Sequence, residues 1–398
     1  MLKTIFYLSN YLSNIACCYS QQMIPIENIF NLIVFIIFCT AAAVELFYWL
    51  WYYPAPLFHK PGEPGNNYPA VSVIICARNE AVNIRKFLPL VLEQDYPSYE
   101  VILVNDCSED GSDEILGEFI VKYKHLKISS ITKDPQFTHN KKFAQFIGIK
   151  AAKNEILVFT DADCLPQSDK WLKTIVQGFD ERTEIVLGYG GYMREKGLLN
   201  SYIRYDCTFI AMQYLGMALK KVPYMGVGRN LAYRRSVFFR NKGFGEHNHI
   251  ISGDADLFIN AVATKQNTKV EFRPESHTRS VPAASFSEFL SQKERHFTTA
   301  RYYKPLHKIL LILEPFIRLT FYGSFIYLMI ILYLWPYLAG LFLIRLTVQT
   351  IVFSSIQKRL NEKGLLFYSL IFDIFSPLLN GLIYMLQMSN RAVRNTWK

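Results

Sequence analysis

Two aspartates follow directly on an apolar stretch of the chain. Residues 156–160 are ILVFT, and Asp161 and Asp163 come next, with one alanine between them. Carboxylates at positions i and i+2 after a buried strand point to the same side, where together they can hold a divalent cation. Such a cation would neutralise a bound diphosphate. Solvated aspartates are also common turn residues at strand ends, so the surrounding elements must decide between the two interpretations.

From residue 70 the sequence alternates short apolar strands with amphipathic helical segments. The strands are VSVIIC from Val71, EVILVND from Glu100, LKISSI from Leu126 and ILVFT from Ile156. Repeated strand and helix units of this length predict an α/β domain with a mostly parallel sheet and helices on both faces. Ligands of such sheets bind beyond the carboxyl ends of the strands. We therefore expect three polar segments to meet at one edge of the sheet: 77–80, 105–112 and 161–164.

The composition predicts a chain that is partly soluble and partly embedded in a membrane. Hydrophobic residues make up 51% of its 398 residues, which is too apolar for an ordinary soluble protein. Residues 28–53 are almost continuously apolar and long enough to cross a hydrocarbon core of roughly 30 Å as a helix. A second apolar block predicts further crossings near 310–334, 337–356 and 365–388. Arg345, Asp373 and Pro377 weaken the last two, and a re-entrant or interfacial segment is the alternative there.

The distribution of charge orients these crossings. The formal net charge is +10, and basic residues lie near the ends of the apolar segments, a pattern that places 54–308 in the cytoplasm. The residues Arg391, Arg394 and Lys398 do not fit, because four crossings would put them outside. The charges follow the membrane boundaries and form no stripe on the soluble part, which argues against a nucleic-acid partner. We expect a multi-pass protein of the inner or plasma membrane.

The remaining features define the expected domain organisation. Seven cysteines show no C-x-x-C spacing and mostly lie in apolar runs, which indicates reduced core residues and no disulfide framework or zinc site. Residues 1–27 form an N-terminal extension that makes a poor signal peptide. The predicted order is that extension, a transmembrane helix at 28–53, a linker at 54–69, an α/β domain at 70–285, an interfacial helix at 286–308, a membrane region of about three helices at 309–390 and a basic tail at 391–398.

Four motifs, in this order, resemble those of the family 2 glycosyltransferases, which are inverting enzymes of the GT-A fold that use nucleotide sugars. They are VSVIICARNEAVNI from Val71, VILVNDCSEDGSDEI from Val101, NKKFAQFIGIKAAKNEILVFTDADC from Asn140 and SGDADL from Ser252. The resemblance covers about 70–300. The flanking helices resemble those of the membrane-bound members related to cellulose, hyaluronan and poly-N-acetylglucosamine synthases. The resemblance implies a GT-A domain with a mixed, mostly parallel sheet and transmembrane helices at both ends.

The resemblance assigns donor-site roles to individual residues. Lys141 matches the lysine of the family's G-K-x-x-A-L segment and is expected at the phosphates, unless it is simply solvated. Asp161 and Asp163 match the D-x-D motif, in which the second acid binds Mn²⁺ or Mg²⁺ and the first lies nearer the ribose and sugar. The residues expected to hold the nucleoside are Ala77, Arg78, Asn79, Glu80 and Asp106. Alternatively, Asp106 could cap the helix that starts near Gly111.

SGDADL carries the expected catalytic base. Asp254 occupies the family's base position, and Gly253 stands where the family usually has a glutamate. An inverting transfer needs one carboxylate to take the proton from the acceptor hydroxyl as that hydroxyl attacks. Asp256 is the rival candidate, and both aspartates could instead cap the helix that follows.

QKERH at 292–296 matches the Q-x-x-R-W motif of the membrane synthases except at its last position. Gln292 and Arg295 share one helix face, so both are expected to reach the diphosphate. His296 replaces the tryptophan that packs on the acceptor sugar in the synthases, which argues against processive polymerisation. The same helix also suits a membrane interface. Arg229 and Asn230, in a segment rich in glycine and tyrosine, are the other expected acceptor contacts.

The sequence thus predicts a membrane glycosyltransferase that moves one sugar from a nucleotide diphosphate sugar, with a UDP-sugar favoured by the resemblance. The expected acceptor is a lipid-linked or growing glycan in cell-envelope or exopolysaccharide synthesis. A processive synthase is the first alternative, and an inactive scaffolding relative is the second. Retention of Asp106, Asp161, Asp163 and Asp254 argues against the scaffold. The identity of the sugar, the acceptor and any protein partner stays open.

Overall fold

The computed structural model describes residues 29–62, 68–132, 140–247, 250 and 252–389. The predicted N-terminal extension, the middle of the linker and the basic tail lie outside these ranges. Within them, one long helix precedes an α/β domain and three long helices follow it.

Two sheets form the centre of the α/β domain. The main sheet has the order β3-β2-β1-β4-β8-β6-β9, and the small sheet has the order β5-β10-β7. In the main sheet, neighbouring strands are parallel except at β8, which runs antiparallel to β4 and β6. This confirms the prediction of a mixed, mostly parallel sheet. The strands are β1 (Val71–Ala77), β2 (Tyr99–Asp106), β3 (Leu126–Ile131), β4 (Ile156–Asp161), β5 (Cys164–Pro166), β6 (Ile185–Gly188), β7 (Gly190–Tyr192), β8 (Leu231–Arg234), β9 (Thr268–Glu271) and β10 (Thr278–Ser280).

Helices cover both faces of the main sheet, which is why β1 is buried along its whole length and is almost continuously apolar. The helix after β3 begins at Lys141 because the side chain of Asn140 accepts a hydrogen bond from the backbone N–H of Phe143, at 2.9 Å. The α-helices are α1 (Ile29–Phe47), α2 (Ala55–Phe58), α3 (Ala81–Leu92), α4 (Ser112–Lys122), α5 (Lys141–Ala151), α6 (Trp171–Val176), α7 (Leu198–Leu219), α8 (Arg235–Arg240), α9 (Asp256–Val262), α10 (Phe286–Ala300), α11 (Pro305–Ile330), α12 (Trp335–Arg359) and α13 (Leu366–Ser389).

Four helical segments in the described ranges are long and apolar enough to cross a membrane: Ile29–Phe58, Pro305–Ile330, Trp335–Arg359 and Leu366–Gln387. They lie where the sequence predicts crossings. The last is one continuous helix through Pro377, so the structure has no helix break at this proline.

A buried cluster of charges joins these four segments. The guanidinium of Arg345 on α12 contacts Glu45 on α1 at 2.8 Å and Asp373 on α13 at 2.7 Å. Arg318 on α11 contacts the same Asp373 at 3.0 Å and Glu314 at 3.1 Å. A charge buried among apolar helices is costly unless it is paired. Arg345 and Asp373, which weaken the sequence prediction when considered singly, are therefore partners that hold the bundle together.

Helix α7 connects the α/β domain to this bundle, and the sequence patterns described above do not predict it. Most of its 22 residues are buried, because it packs on the sheets along one side and on the candidate membrane spans along the other. The ring of Tyr202 lies 5.0 Å from that of Phe372 on α13. A Cβ at Gly216 would lie 2.1 Å from the carbonyl oxygen of Tyr52, so only glycine allows this close approach.

We predict that Arg345→Leu destabilises the protein by about 3–5 kcal/mol, because it leaves Glu45 and Asp373 buried without this cation. Thermal unfolding of the purified protein in nanodiscs would measure the loss. Lys358→Leu is the matched control, since it removes a positive charge from an exposed position of the same helix. Equal melting temperatures of the two variants would contradict a stabilising role for the cluster.

Candidate active site

One ammonium group lies between two of the aspartates that the sequence singles out. Lys141 is the first residue of α5, Asp161 ends β4, and Asp254 lies just before α9. The Nζ atom of Lys141 is 2.6 Å from Oδ1 of Asp161 and 3.5 Å from Oδ2 of Asp254. Burial favours the neutral amine, but the two negative charges outweigh it and raise the pKa of Lys141 well above its usual range. The ammonium ion is therefore fixed in place.

Asp163 lies beside this group and is held by the small sheet. The hydroxyl of Ser280 on β10 donates to Oδ2 of Asp163 at 2.7 Å, and the thiol of Cys164 donates to Oδ1 at 3.3 Å. Burial, followed by the negative charge of Asp161, raises the pKa of the Asp163 carboxyl. A bound cation would oppose both effects and favour the ionised carboxylate.

The donor atoms fit Mn²⁺ or Mg²⁺. One ligand atom each from Asp161, Asp163 and Cys164 lie within 4.8 Å of one another. Carboxylate oxygens are the ligands that these hard cations prefer. Burial raises the pKa of the Cys164 thiol well above its usual range, and sulfur is a softer ligand than Mn²⁺ or Mg²⁺ prefers. The two carboxylates are thus the groups that would hold the metal.

Asp256 serves a different purpose from its neighbour Asp254. Its Oδ2 atom accepts hydrogen bonds from the hydroxyl groups of Thr299 at 2.6 Å and Tyr303 at 2.8 Å. These contacts tie α9 to the end of α10 and the turn after it. Asp254 instead faces Lys141 and has no comparable hydroxyl partner among the contacts of the described residues, which leaves it the better candidate for a base.

The segments after β1 and β2 are joined to each other. The side-chain oxygen of Asn79 accepts from the backbone N–H of Glu109 at 2.8 Å, and the backbone N–H of Asn79 donates to the Ser108 hydroxyl at 2.9 Å. Ala77 is buried, whereas Arg78 and Glu80 are partly exposed. Asp106 is fully buried, so the predicted contact between its carboxylate and a base is not open in this conformation.

Helix α10 carries the QKERH motif along the side of the site. Lys293, which lies inside the motif, is buried and binds Asp206 of α7 at 2.7 Å. Gln292 and Arg295 are partly exposed, and their predicted contact with the diphosphate stays a prediction. The side chain of His296 is solvent-exposed, yet the protein packed around it, followed by the charge of Lys293, lowers the pKa of its imidazole below the usual range. Its accessible imidazole is therefore neutral at physiological pH and available for a hydrogen bond.

Glycines at 188–191 make room for side chains from other elements. A Cβ at Gly188 would lie 2.5 Å from Cγ of Asn230, and one at Gly190 would lie 2.6 Å from Cγ of Arg229. Arg229 donates to the carbonyl oxygen of Gly190 at 2.7 Å and lies 4.7 Å from the ring of Tyr192. It is partly exposed, so a contact between Arg229 and the acceptor remains open.

The structure corrects the expected role of Asn230. Its side chain is fully buried. Its amide donates at 2.7 Å to the carbonyl oxygens of Tyr189 and Ser276, and it accepts from the indole N–H of Trp171 at 3.1 Å. An acceptor cannot reach an amide whose hydrogen bonds are all made inside the protein. Asn230 joins structural elements and is withdrawn from the acceptor site.

Sequence reasoning missed Ser280 as the partner of Asp163 and Tyr192 as the partner of Arg229. The glycine and tyrosine content of 188–197 is a signal for the second pair. We find no sequence signal for the first, because Ser280 and Asp163 are far apart in the chain and Ser280 lies in no recognised motif.

We expect Asn230→Ala to lower the free energy of unfolding by several kcal/mol, since each buried group left without a hydrogen bond costs about 1–3 kcal/mol. Denaturant unfolding in nanodiscs would measure it. Asn83→Ala, on the partly exposed face of α3, is the control and should change stability by less than about 1 kcal/mol. A fully stable Asn230→Ala variant would show that the amide is not structural.

The chain is similar in sequence to known glycosyltransferases. The family model described as glycosyl transferase family group 2 matches 156–386, more than half of the chain, and the glycosyl transferase family 2 model matches 72–239. Glycosyltransferase AglE of Haloferax volcanii is 32% identical over 244 residues, which are 57% of this chain and 71% of that protein. The beta-monoglucosyldiacylglycerol synthase of Trichormus variabilis is 30% identical over 119 residues, which are 29% of this chain and 25% of that protein.

Among solved structures, the chain is similar to the mannosyltransferase PcManGT from Pyrobaculum calidifontis in complex with GDP-Man and Mn²⁺. The TM-score is 0.54 at 18% identity, over 86% of this chain and 99% of that chain. At this identity the similarity establishes the GT-A fold alone.

Proposed function

The chain belongs to the family 2 glycosyltransferases, and from this premise we propose that it is a membrane-bound enzyme that transfers one sugar with inversion. The donor is a nucleotide diphosphate sugar, and the acceptor is a lipid-linked or glycan hydroxyl. The observation that carries this proposal is the contact of the Lys141 ammonium with both Asp161 and Asp254. It brings the proposed donor-site acid and the proposed base to one point at the carboxyl edge of the sheet.

Asp254 acts as the base in this mechanism. Its carboxylate takes the proton from the acceptor hydroxyl while the hydroxyl oxygen attacks the anomeric carbon from the face opposite the departing diphosphate. Lys141 is fixed by Asp161 and lies close enough to Asp254 to orient its carboxylate. Gln292 and Arg295 on α10 are proposed to contact the diphosphate from the side of the membrane interface.

Asp161 and Asp163 are the residues that would hold Mn²⁺ or Mg²⁺. When bound, the cation neutralises the negative charge that develops on the leaving diphosphate. Ser280 keeps the Asp163 carboxylate in one orientation, and Lys141 adds a second positive charge beside the phosphates. The site thus supplies fixed charges where charge develops, which is the main means by which enzymes stabilise such transition states.

We propose a UDP-sugar as the donor on the family resemblance described above. The similar mannosyltransferase structure contains GDP-Man, so a guanine nucleotide also fits this fold. The carboxylate of Asp106 would need to become accessible if it is to read the base directly. Arg78 and Glu80, which are partly exposed at the end of β1, are the alternative contacts.

The membrane helices support an acceptor that resides in the bilayer. Four candidate spans flank the α/β domain, and we propose that the domain faces the cytoplasm of a cell whose envelope or exopolysaccharide it helps to build. One similar protein is named a beta-monoglucosyldiacylglycerol synthase, a precedent for a lipid acceptor. His296 presents a smaller stacking face than tryptophan, which favours single transfer over processive synthesis.

Replacing the base should separate transfer from binding. We expect Asp254→Asn to lower kcat by about 10²–10⁴-fold, because the amide cannot take the acceptor proton. Metal-dependent nucleotide binding should persist. Steady-state release of the nucleoside diphosphate would measure kcat, and Asp256→Asn is the comparison. That variant loses a tie between α9 and α10, so its melting temperature should fall more than its kcat. A larger kcat loss for Asp256→Asn would transfer the role of base to Asp256.

Membranes containing the protein should transfer sugar from one member of a panel of nucleotide sugars, and only while Mn²⁺ or Mg²⁺ is present. Chelation with EDTA should stop the reaction. The Asp163→Asn variant should need a metal concentration at least about 10-fold higher to reach half of its maximal rate. Product size gives a further readout, because single transfer yields one product and processive synthesis yields a ladder. The metal assignment would be ruled out if the unaltered protein kept its transfer rate after chelation and the Asp163→Asn variant had the same rate.

A further inference from the structure

The loop between α12 and α13 places a carboxylate inside the α/β domain. Glu362 lies in the polar run at 357–364, yet its side chain is only 3% exposed, whereas the neighbouring Lys363 is exposed. A carboxylate withdrawn from water needs strong partners, because its lost hydration costs several kcal/mol. The partners of Glu362 therefore indicate why the loop enters the domain.

Two arginines and a tyrosine surround this carboxylate. Arg204 on α7 donates from Nε to Glu362 at 3.0 Å, the Tyr189 hydroxyl donates at 3.0 Å, and Arg279 on β10 forms an ion pair with it. The same guanidinium groups also hold the loop backbone. Arg204 donates to the carbonyl oxygen of Lys363 at 3.0 Å, and Arg279 donates to two further carbonyl oxygens of the loop, at 3.0 and 3.1 Å.

The strand that carries Arg279 also holds the proposed metal-binding acid. Ser280 is the next residue of β10, and its hydroxyl donates to Asp163 at 2.7 Å. The strand pairs with β5, where Ser280 lies opposite Cys164, the residue that follows Asp163. The backbone N–H of Val281 donates to the carbonyl oxygen of Asp163 at 3.2 Å. Three successive residues of one short segment thus connect Glu362 to Asp163.

The chain makes space for this connection. Gly191 lies opposite Arg279 in β7, and a Cβ there would lie 2.1 Å from Nη1 of Arg279. Any other residue would push the guanidinium away from Glu362. The requirement for glycine at this position is thus explained by the ion pair and needs no contact with a ligand.

We propose that Glu362 is a positioning residue that sets the orientation of Asp163 through Arg279 and Ser280. Without its charge, Arg204 and Arg279 would lie close together and repel each other, and β10 would lose its anchor. The membrane bundle then controls how well the α/β domain holds its metal. This inference rests on the proposed role of Asp163 in metal binding, and it adds that the loop between the last two membrane helices is part of the same machinery.

The test is direct binding of Mn²⁺ to the full-length protein in nanodiscs, followed by the electron paramagnetic resonance signal of free Mn²⁺. The titration is run with the nucleoside diphosphate that the donor panel identifies. Glu362→Gln should weaken Mn²⁺ binding by about 10-fold, the range seen when an outer partner of a metal ligand is lost. Lys363→Gln removes a charge from the exposed neighbour in the same loop and should change the affinity by less than about 2-fold.

A double-mutant cycle with Ser280→Ala tests the route. If Glu362 acts through Ser280, the Mn²⁺ affinity of the double variant should be about that of the single variant with the lower affinity. A loss of affinity in the double variant that equals the product of the two single losses would overturn the route. A purely structural role would lower the melting temperature of Glu362→Gln and leave Mn²⁺ affinity unchanged, which would overturn the proposal.

Tyr189→Phe decides the matter if Glu362→Gln does not fold. It keeps all charges and removes one hydrogen bond to Glu362, and it should weaken Mn²⁺ binding by at least about 2-fold; unchanged affinity would overturn the proposal. An unaltered protein that binds no Mn²⁺ and transfers no sugar would overturn the proposed function as well. Normal transfer by the unaltered protein, with Glu362→Gln matching Lys363→Gln, would overturn this inference alone.

Discussion

Buried contacts between carboxylates and guanidinium groups hold the four candidate membrane spans together and fasten this bundle to the α/β domain. Arg345 collects Glu45 and Asp373 from two other helices within the bundle, and Glu362 binds Arg204 and Arg279 where the bundle meets the α/β domain. Apolar packing alone would let membrane helices slide and rotate, because lipid tails are as apolar as the helices are. Buried ion pairs permit few arrangements, since a misplaced charge is left without a partner.

The same constraint extends into the active site. Lys141 contacts Asp161 and Asp254, and Asp163 lies beside Asp161. The negative charge of these three acids exceeds that of one ammonium, and a divalent cation would offset the excess. Lys141 of α5 holds Asp161 and Asp254, Ser280 of β10 holds Asp163, and hydroxyl groups of Thr299 and Tyr303 hold the neighbouring Asp256. Charges that attract a metal would otherwise repel each other, so these partners keep the site assembled before a ligand arrives.

Much of the fold was predictable, because apolar strands and amphipathic helices leave local patterns. Strands β1 to β4 of the main sheet, the strand ends that carry polar residues and the four candidate spans all follow from such patterns. Helix α7 was missed because it is buried on nearly all sides and so shows little periodicity. The small sheet was missed because its strands have three residues each and pair across large sequence separations. Arg345 and Asp373 weakened the predicted spans because the sequence shows charges without showing their partners.

Departures from the family's motifs have conformational explanations in this chain. Cys107, which follows Asp106, has a left-handed backbone with φ at 55°, a conformation that residues other than glycine adopt at some cost in strain. Gly253 replaces the usual glutamate at φ 96°, and a Cβ there would lie 2.5 Å from Cδ1 of Leu257. No side chain fits at that position in this conformation. The chain therefore has one acid where the family often has two, and the proposed base, Asp254, has no acidic residue directly before it.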